Sequence, residues 1–195
     1  MVVVPRLDSV LSRVRALPGQ SLPVVVAVDG RSGSGKSTLA RALATELGGV
    51  VVEGDDFYRD MPKAERWALD AAEGYLRYFD WERLRAAALE PLLAGRPARY
   101  RPFDWPTGGG LAETECEVHP GGVIVVDGVY SGRPELADLV GLTVLVDVAD
   151  EERQRRLSAR GHGNDSWHSR WEAAEDHYFL RVRPAQSFDY VVAGG

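Results

Sequence analysis

The chain has 195 residues, of which 45% are hydrophobic and 27% are charged, and this composition fits one globular domain with a sizeable core. Its formal net charge of −6 argues against a nucleic-acid binder or a protein that binds an anionic membrane surface, since both partners attract positive charge. A single cysteine, Cys116, excludes an intrachain disulfide, and the first residues lack the apolar run that a signal peptide or a membrane span requires. We therefore expect a cytoplasmic protein without nucleic-acid or membrane partners, and the sequence leaves its oligomeric state open.

Apolar periodicity predicts helices and strands that alternate along the chain. Strands are predicted over 24–29, 50–57, 123–128, 142–148 and 188–192, and helices over 7–17, 38–47, 81–94, 150–160 and 166–181. Two further extended segments, 98–103 and 114–118, flank the turn-rich sequence DWPTGGG and predict a hairpin. Strands that alternate with helices are typical of an α/β fold, in which helices cover both faces of a parallel sheet. The gap of about 70 residues between the second and third core strands is too long for a simple crossover, so we interpret 54–122 as an insertion.

The sequence GRSGSGKS, residues 30–37, matches the phosphate-binding P-loop pattern G-x-x-x-x-G-K-[ST]. A buried strand precedes it and a helix follows it, as this motif requires. Glycines allow successive backbone N–H groups to face an anion, and the helix N-terminus adds a positive dipole end. The motif predicts binding of a nucleoside triphosphate by Gly30, Ser32, Gly33, Ser34, Gly35, Lys36, Ser37 and Thr38. Lys36 would reach the β- and γ-phosphates, and the Ser37 hydroxyl would ligate Mg²⁺.

Acidic residues follow the predicted strands at the edge where an open parallel sheet binds its ligands. Asp127 ends the run VIVVD and occupies the position that holds the hydration shell of Mg²⁺ in such proteins; the alternative is an ordinary turn aspartate. Asp55 and Asp56 follow the second strand, where a phosphotransferase needs a base for its acceptor hydroxyl. Helix capping is the alternative for this pair. Asp147, inside the run VLVDV, is a weaker fourth candidate for a carboxylate at a strand end.

Arginines are concentrated just after the fourth core strand. Arg153, Arg156 and Arg160 share one face of the helix predicted there, by i, i+3 and i+4 spacing. We predict that residues 150–166 form a lid over the nucleotide, whose arginines neutralise charge on the transferred group. The alternative is a solvated helix face paired with Glu151 and Glu152.

Taken together, these segments resemble the uridine kinase-like branch of P-loop kinases, which also includes nicotinamide riboside kinase, bacterial-type pantothenate kinase and phosphoribulokinase. The resemblance is carried by GRSGSGKSTLA, GDDFYRD, YFDWERL, VIVVDGVYS, DVADEERQRRLSAR and FDYVV, which together span most of the chain. It implies a single P-loop NTPase domain over 1–195, built on a five-stranded parallel sheet, and an ATP- and Mg²⁺-dependent kinase that phosphorylates a small-molecule hydroxyl.

The resemblance also implies roles for individual residues. It makes Asp55 the base and a metal neighbour, Asp127 a residue that helps hold Mg²⁺, and Arg156 and Arg160 the lid arginines. The insertion 54–122 corresponds to the acceptor-binding region. Candidate acceptor contacts within it are Tyr58, Asp80, Tyr100 and Asp104.

The chain departs from uridine kinases in this region. Its hairpin lacks the histidine-containing stretch that helps recognise the pyrimidine, and Trp81 stands where a histidine follows the matching aspartate. We therefore expect a nucleoside or a riboside as leading acceptor, without commitment to a pyrimidine. Two alternatives stay open: a nucleoside monophosphate kinase, whose second anion would meet Arg59, Arg66, Arg99 or Arg101, and a nucleotide-dependent switch protein.

Overall fold

The structure is a computed structural model that describes residues 7–17, 23–159 and 166–194. Strands and helices alternate along most of the chain, as predicted. The strands are β1 (Val24–Asp29), β2 (Val50–Glu53), β3 (Ala98–Tyr100), β4 (Cys116–Val118), β5 (Val123–Asp127), β6 (Val140–Asp147) and β7 (Tyr190–Ala193). The α-helices are α1 (Leu7–Arg15), α2 (Lys36–Leu47), α3 (Lys63–Ala68), α4 (Ala71–Arg77), α5 (Trp81–Leu84), α6 (Glu90–Leu93), α7 (Asp150–Ala159) and α8 (Ser166–His177).

Five of the strands form one parallel sheet in the order β2-β5-β1-β6-β7. Its strands are rich in β-branched residues, which pack well on a pleated surface that is buried on both faces. The middle strand, β1, pairs with β5 on one side and β6 on the other. The predicted α/β fold with a five-stranded parallel sheet is confirmed.

Alternate residues of the strands face two separate cores. Val26 and Val28 of β1 face the core that α1 and α2 cover, while Val25 faces the core beneath the helical segment 81–93. This alternation follows from the two-residue period of a strand. Helices therefore cover both faces of the sheet, and the loops at its carboxyl edge are held between them. None of the described helices is both long and apolar enough to cross a membrane.

Residues between β2 and β5 lie outside the parallel sheet. They form a 3₁₀ turn (Gly54–Phe57), the short helices α3 and α4, a helical segment in which a π-helical turn (Arg85–Leu89) joins α5 to α6, and the antiparallel β3–β4 hairpin. The prediction missed α3 and α4. Asp70 begins α4 with a capping box, because its carboxylate accepts from the Glu73 backbone while the Glu73 side chain accepts from the Asp70 backbone. α4 then packs against α8.

Candidate active site

The loop between β1 and α2 has the backbone conformation that its glycines allow. Gly30, Gly33 and Gly35 have φ angles of +152°, +82° and +91°, which side chains with a Cβ rarely adopt. At Gly30 a Cβ would lie 2.6 Å from the Val146 carbonyl oxygen, so β6 also excludes a larger residue there. Gly35 is the N-cap of α2, and Lys36 is the first residue of that helix. Three of the loop amides are used within the protein, because Gly30 donates to Asp29, Ser32 to Glu175 and Ser34 to the Arg31 carbonyl. The positive end of the α2 dipole lies at the end of the same loop.

A buried carboxylate at the end of β1 anchors this loop. Asp29 is 0% exposed and accepts from the backbone N–H of Gly30 at 2.7 Å and of Gly132 at 2.9 Å. It also accepts from the Tyr178 hydroxyl at 2.8 Å and the Tyr130 N–H at 3.2 Å. Burial raises the pKa of Asp29, while the hydrogen bonds from Gly132, Tyr178 and Gly30 lower it. Asp29 thus fixes the start of the loop to the segment after β5 and to the chain that follows α8.

A second buried carboxylate holds the loop from the side of α8. Glu175 is 1% exposed, and its carboxylate accepts from the Ser32 N–H at 3.1 Å, the Ser32 hydroxyl at 2.5 Å and the Trp171 indole N–H at 2.7 Å. Burial raises the pKa of Glu175, although its bonds to Ser32 and the charge of Lys36 oppose that rise. α8 is therefore coupled directly to the phosphate-binding loop.

A cavity of about 430 Å³ lies at the carboxyl edge of the sheet, in front of this loop. We call it the P-loop cavity. It brings together loop residues, strand-end carboxylates and the rings of three tryptophans. Its walls include Ser32, Gly33, Lys36, Ser37, Glu53, Asp55, Asp127, Trp105, Trp167 and Trp171. The register explains the meeting of the carboxylates, because Glu53 and Asp127 are paired at the ends of β2 and β5.

Asp127 has the environment of a cation ligand. It is 3% exposed, and among the described residues its Oδ1 atom has no hydrogen-bond partner. Burial raises its pKa to about 6, although the Ser37 hydroxyl and Lys36 lower it, and Glu53 raises it further. Oxygen atoms are the ligands that Mg²⁺ prefers, and it usually retains several waters and substrate phosphates. Ser37 and Asp127 therefore fit a site for this ion, which would neutralise phosphate charge when bound.

Asp55 lies at the mouth of the same cavity, in the 3₁₀ turn after β2. Its side chain reaches solvent, yet protein atoms surround it on most sides, and this desolvation raises its pKa. Lys36 lowers the pKa and Glu53 raises it. Asp56 points elsewhere, because its carboxylate accepts from the Tyr100 hydroxyl at 3.2 Å. Of the two candidate bases, only Asp55 lines the P-loop cavity.

The arginines of α7 contact the loop through its carbonyl oxygens. Arg153 is 3% exposed and donates to the Ser32 carbonyl at 3.0 Å, while also pairing with Asp150. Arg156 donates to the carbonyls of Gly33 and Ser34 at 3.3 and 3.2 Å. The structure thus places two of the three predicted lid arginines, Arg153 and Arg156, in contact with the P-loop. Arg160 and the predicted lid residues 160–165 lie outside the described residues.

The predicted acceptor contacts are placed in different surroundings. Tyr58 is 2% exposed and lines a second cavity that also shares Trp105 and Trp167 with the first. The Asp80 carboxylate caps α5 by accepting from the Arg83 N–H. The Tyr100 hydroxyl donates a hydrogen bond to the Asp56 carboxylate, and the Asp104 carboxylate accepts one from the Thr107 N–H within the hairpin turn. Asp80, Tyr100 and Asp104 line neither cavity and remain predictions, as do the other assigned roles.

Sequence reasoning missed several residues of the site. Trp167, Trp171 and Glu175 were not considered, although their i, i+4 spacing in the predicted helix would place them on one face. Glu53 was also missed, because its position at the carboxyl end of β2 becomes informative only once β5 is known to be its neighbour.

A glycine-rich anion loop between the central strand and its helix, facing carboxylates at the carboxyl edge of a parallel sheet, defines a P-loop nucleotide-binding protein. Comparison with known proteins narrows this class. The family described as "AAA domain" matches residues 26–180. A uridine kinase from Lactiplantibacillus plantarum is 31% identical over 189 residues, which cover 89% of this chain and 88% of the relative. A uridine kinase from Deinococcus deserti is 34% identical over 147 residues, covering 72% of this chain and 70% of the relative.

A solved structure supports the same fold. The structure of a possible uridine kinase from Bacillus stearothermophilus has a TM-score of 0.73 and 23% sequence identity, and the match covers 98% of this chain and 99% of that chain. The chain therefore belongs to the uridine kinase-like family of P-loop kinases, and it is a small-molecule kinase.

Proposed function

We propose that this kinase transfers the γ-phosphoryl group of ATP, with Mg²⁺, to a hydroxyl group of a small molecule, and that a nucleoside or a riboside is the leading acceptor. The observation that supports this most is the P-loop cavity, in which Lys36, Ser37, Asp55 and Asp127 meet. The names of the curated relatives favour a nucleoside acceptor. We also expect the reaction to be cytoplasmic.

In the proposed reaction, Asp55 accepts the proton of the acceptor hydroxyl as its oxygen forms a bond to the γ-phosphorus. The bond from that phosphorus to the bridging oxygen breaks, and ADP leaves with the electron pair. Lys36 and the loop amides stabilise the negative charge on the phosphates. The raised pKa of Asp55 strengthens it as a proton acceptor. Mg²⁺ held by Ser37 and Asp127 would supply further charge neutralisation.

The test is a phosphorylation screen across nucleosides, ribosides, pantothenate and sugars, with product identification by mass spectrometry. We expect a mass increase of one phosphoryl group on one class of alcohol. Asp55→Asn should remove turnover and leave ATP binding nearly intact, with Asp56→Asn as the matched control. Equal loss of turnover and ATP binding in Asp55→Asn would contradict the role of base.

Two alternatives predict different results. A nucleotide-dependent switch would hydrolyse ATP at the same rate with and without any alcohol. A nucleoside monophosphate kinase would form a diphosphate; because Arg66 lines the second cavity, nucleoside 5′-monophosphates are added to the screen.

A further inference from the structure

The second cavity, of about 290 Å³, shares Trp105 and Trp167 with the P-loop cavity. We call it the tryptophan cavity. Its aromatic walls are Tyr58, Trp67, Phe103, Trp105 and Trp167. Trp105 also donates its indole N–H to the Asp55 carbonyl at 3.1 Å, so this wall is connected to the backbone of the proposed base. The wall that the two cavities share therefore lies beside Asp55, which lines the P-loop cavity.

A buried guanidinium lines this cavity without a carboxylate partner. Arg66 is 7% exposed, and no described residue forms an ion pair with it. Its guanidinium lies 4.9 Å from the Tyr58 ring centre and 5.2 Å from that of Phe103, and it donates to the carbonyls of Met61 and Gly108. Two donors are thus used of the five that a guanidinium carries, and its Nε has no partner among the described residues.

Aromatic faces and carbonyl groups attract this cation but do not neutralise it. Burial of an unpaired charge is costly, and arginines are rarely buried without a counter-charge. Among the described residues of the cavity wall, the one other charged side chain is Lys63, which is exposed and has no ion pair within that same part of the chain. The described wall of this cavity therefore contains two cations and no carboxylate, in a chain with a net charge of −6.

We infer that the phosphoryl acceptor carries an anionic group, a carboxylate or a phosphoryl group, which binds in the tryptophan cavity against Arg66 and Lys63 while the acceptor hydroxyl faces Asp55. This inference rests on the proposed function and specifies its substrate class. The aromatic walls favour an acceptor that carries a planar ring as well as the anionic group. The anion supplies the counter-charge that the buried guanidinium lacks.

The experiment compares kcat/KM for matched acceptors that differ in one group. Uridine is the neutral reference, orotidine adds a carboxylate, and uridine 3′-monophosphate adds a phosphoryl group. We expect at least one anionic member to exceed its neutral counterpart by about tenfold, and the favoured compound identifies the anion as carboxylate or phosphoryl.

Variants test whether the cavity causes this preference. Lys63→Gln removes an exposed charge, and we expect it to lower kcat/KM for the favoured anionic acceptor about threefold to fivefold, with less than a twofold change for its neutral partner. Arg15→Gln, which removes an exposed charge from α1, is the matched control and should change neither value. Arg66→Gln should reduce the preference further, with a thermal melt to verify folding.

The outcomes separate this inference from the proposed function. If both members of every pair are phosphorylated at equal kcat/KM, or if the preference for the anion survives intact in Lys63→Gln and in folded Arg66→Gln, the inference is overturned and the kinase reaction stands. If none of these compounds is phosphorylated while a compound without an anionic group in the wider screen is, the inference fails and the kinase reaction again stands. If no alcohol is phosphorylated, both fail.

Discussion

Removal of the charge from Asp127 should make the nucleotide-free protein more stable near neutral pH. Asp127→Asn keeps the size of the side chain and leaves it 3% exposed, but it removes the carboxylate whose Oδ1 lacks a partner among the described residues. Because burial raises its pKa, the folded chain binds this proton more tightly than the unfolded chain does. The stabilisation from that proton is complete below the unfolded pKa and is lost as the pH rises through the folded pKa.

The size of the effect follows from the two pKa values. A rise from 3.8 to about 6 corresponds to about 3 kcal/mol for the complete titration. Between about pH 4.5 and 7.5, the wild type loses roughly 2 kcal/mol of this stabilisation as Asp127 gives up its proton. The variant has no titrating group at this position and shows no such loss. The stability of Asp127→Asn relative to the wild type should therefore increase by about 2 kcal/mol across this range.

Urea unfolding at several pH values, in buffer with a chelator and no nucleotide, measures this difference. Asp8→Asn, an exposed change on α1, is the matched control and should show a stability difference from wild type that stays constant with pH. Parallel curves of stability against pH for the wild type and Asp127→Asn would refute the argument that this carboxylate is held at an energetic cost.

Three further changes test the anchoring of the loop. Tyr178→Phe removes one donor from buried Asp29, and we expect a loss of about 1–2 kcal/mol in denaturant unfolding; an unchanged midpoint would contradict the anchor. Glu175→Ala should lower the free energy of unfolding by about 2 kcal/mol or more and weaken ATP binding, because it leaves the Ser32 N–H unpaired. Glu175→Gln should retain most of the stability and most of the ATP affinity, both measured by calorimetry. Gly30→Ala should lower the melting temperature by several degrees, since its Cβ would collide with a carbonyl oxygen; a wild-type melt would show that the loop can shift.

Local signals in the sequence were sufficient for the core of the fold. The buried runs before Asp29 and Asp127 predict strands because β-branched residues pack on a pleated surface, and the glycine pattern after Asp29 predicts the loop because of its backbone requirements. The helices α3 and α4 carried weaker signals. The capping box Asp70-x-x-Glu73 is visible in the sequence, but each helix is too short for its apolar period to be recognised.

The candidate site depended more on tertiary contacts. The sequence placed Asp55 and Asp127 correctly at strand ends, since carboxyl ends of parallel strands meet at one edge. It could not assign Asp80 to a helix cap, or separate Asp55 from Asp56, because those distinctions depend on which neighbour each carboxylate meets. Glu175 contacts a loop residue 143 positions away, a pairing that no local pattern encodes.

The most direct test of the account is calorimetric titration of ATP, with Mg²⁺ present, into the wild type and Lys36→Met. The loop geometry predicts one ATP per chain in the wild type and at least about tenfold weaker binding in the variant, because a charge-assisted bond to the phosphates is lost. Absence of ATP binding to the wild type, or equal affinity in Lys36→Met, would contradict the central claim that residues 30–37 hold the triphosphate.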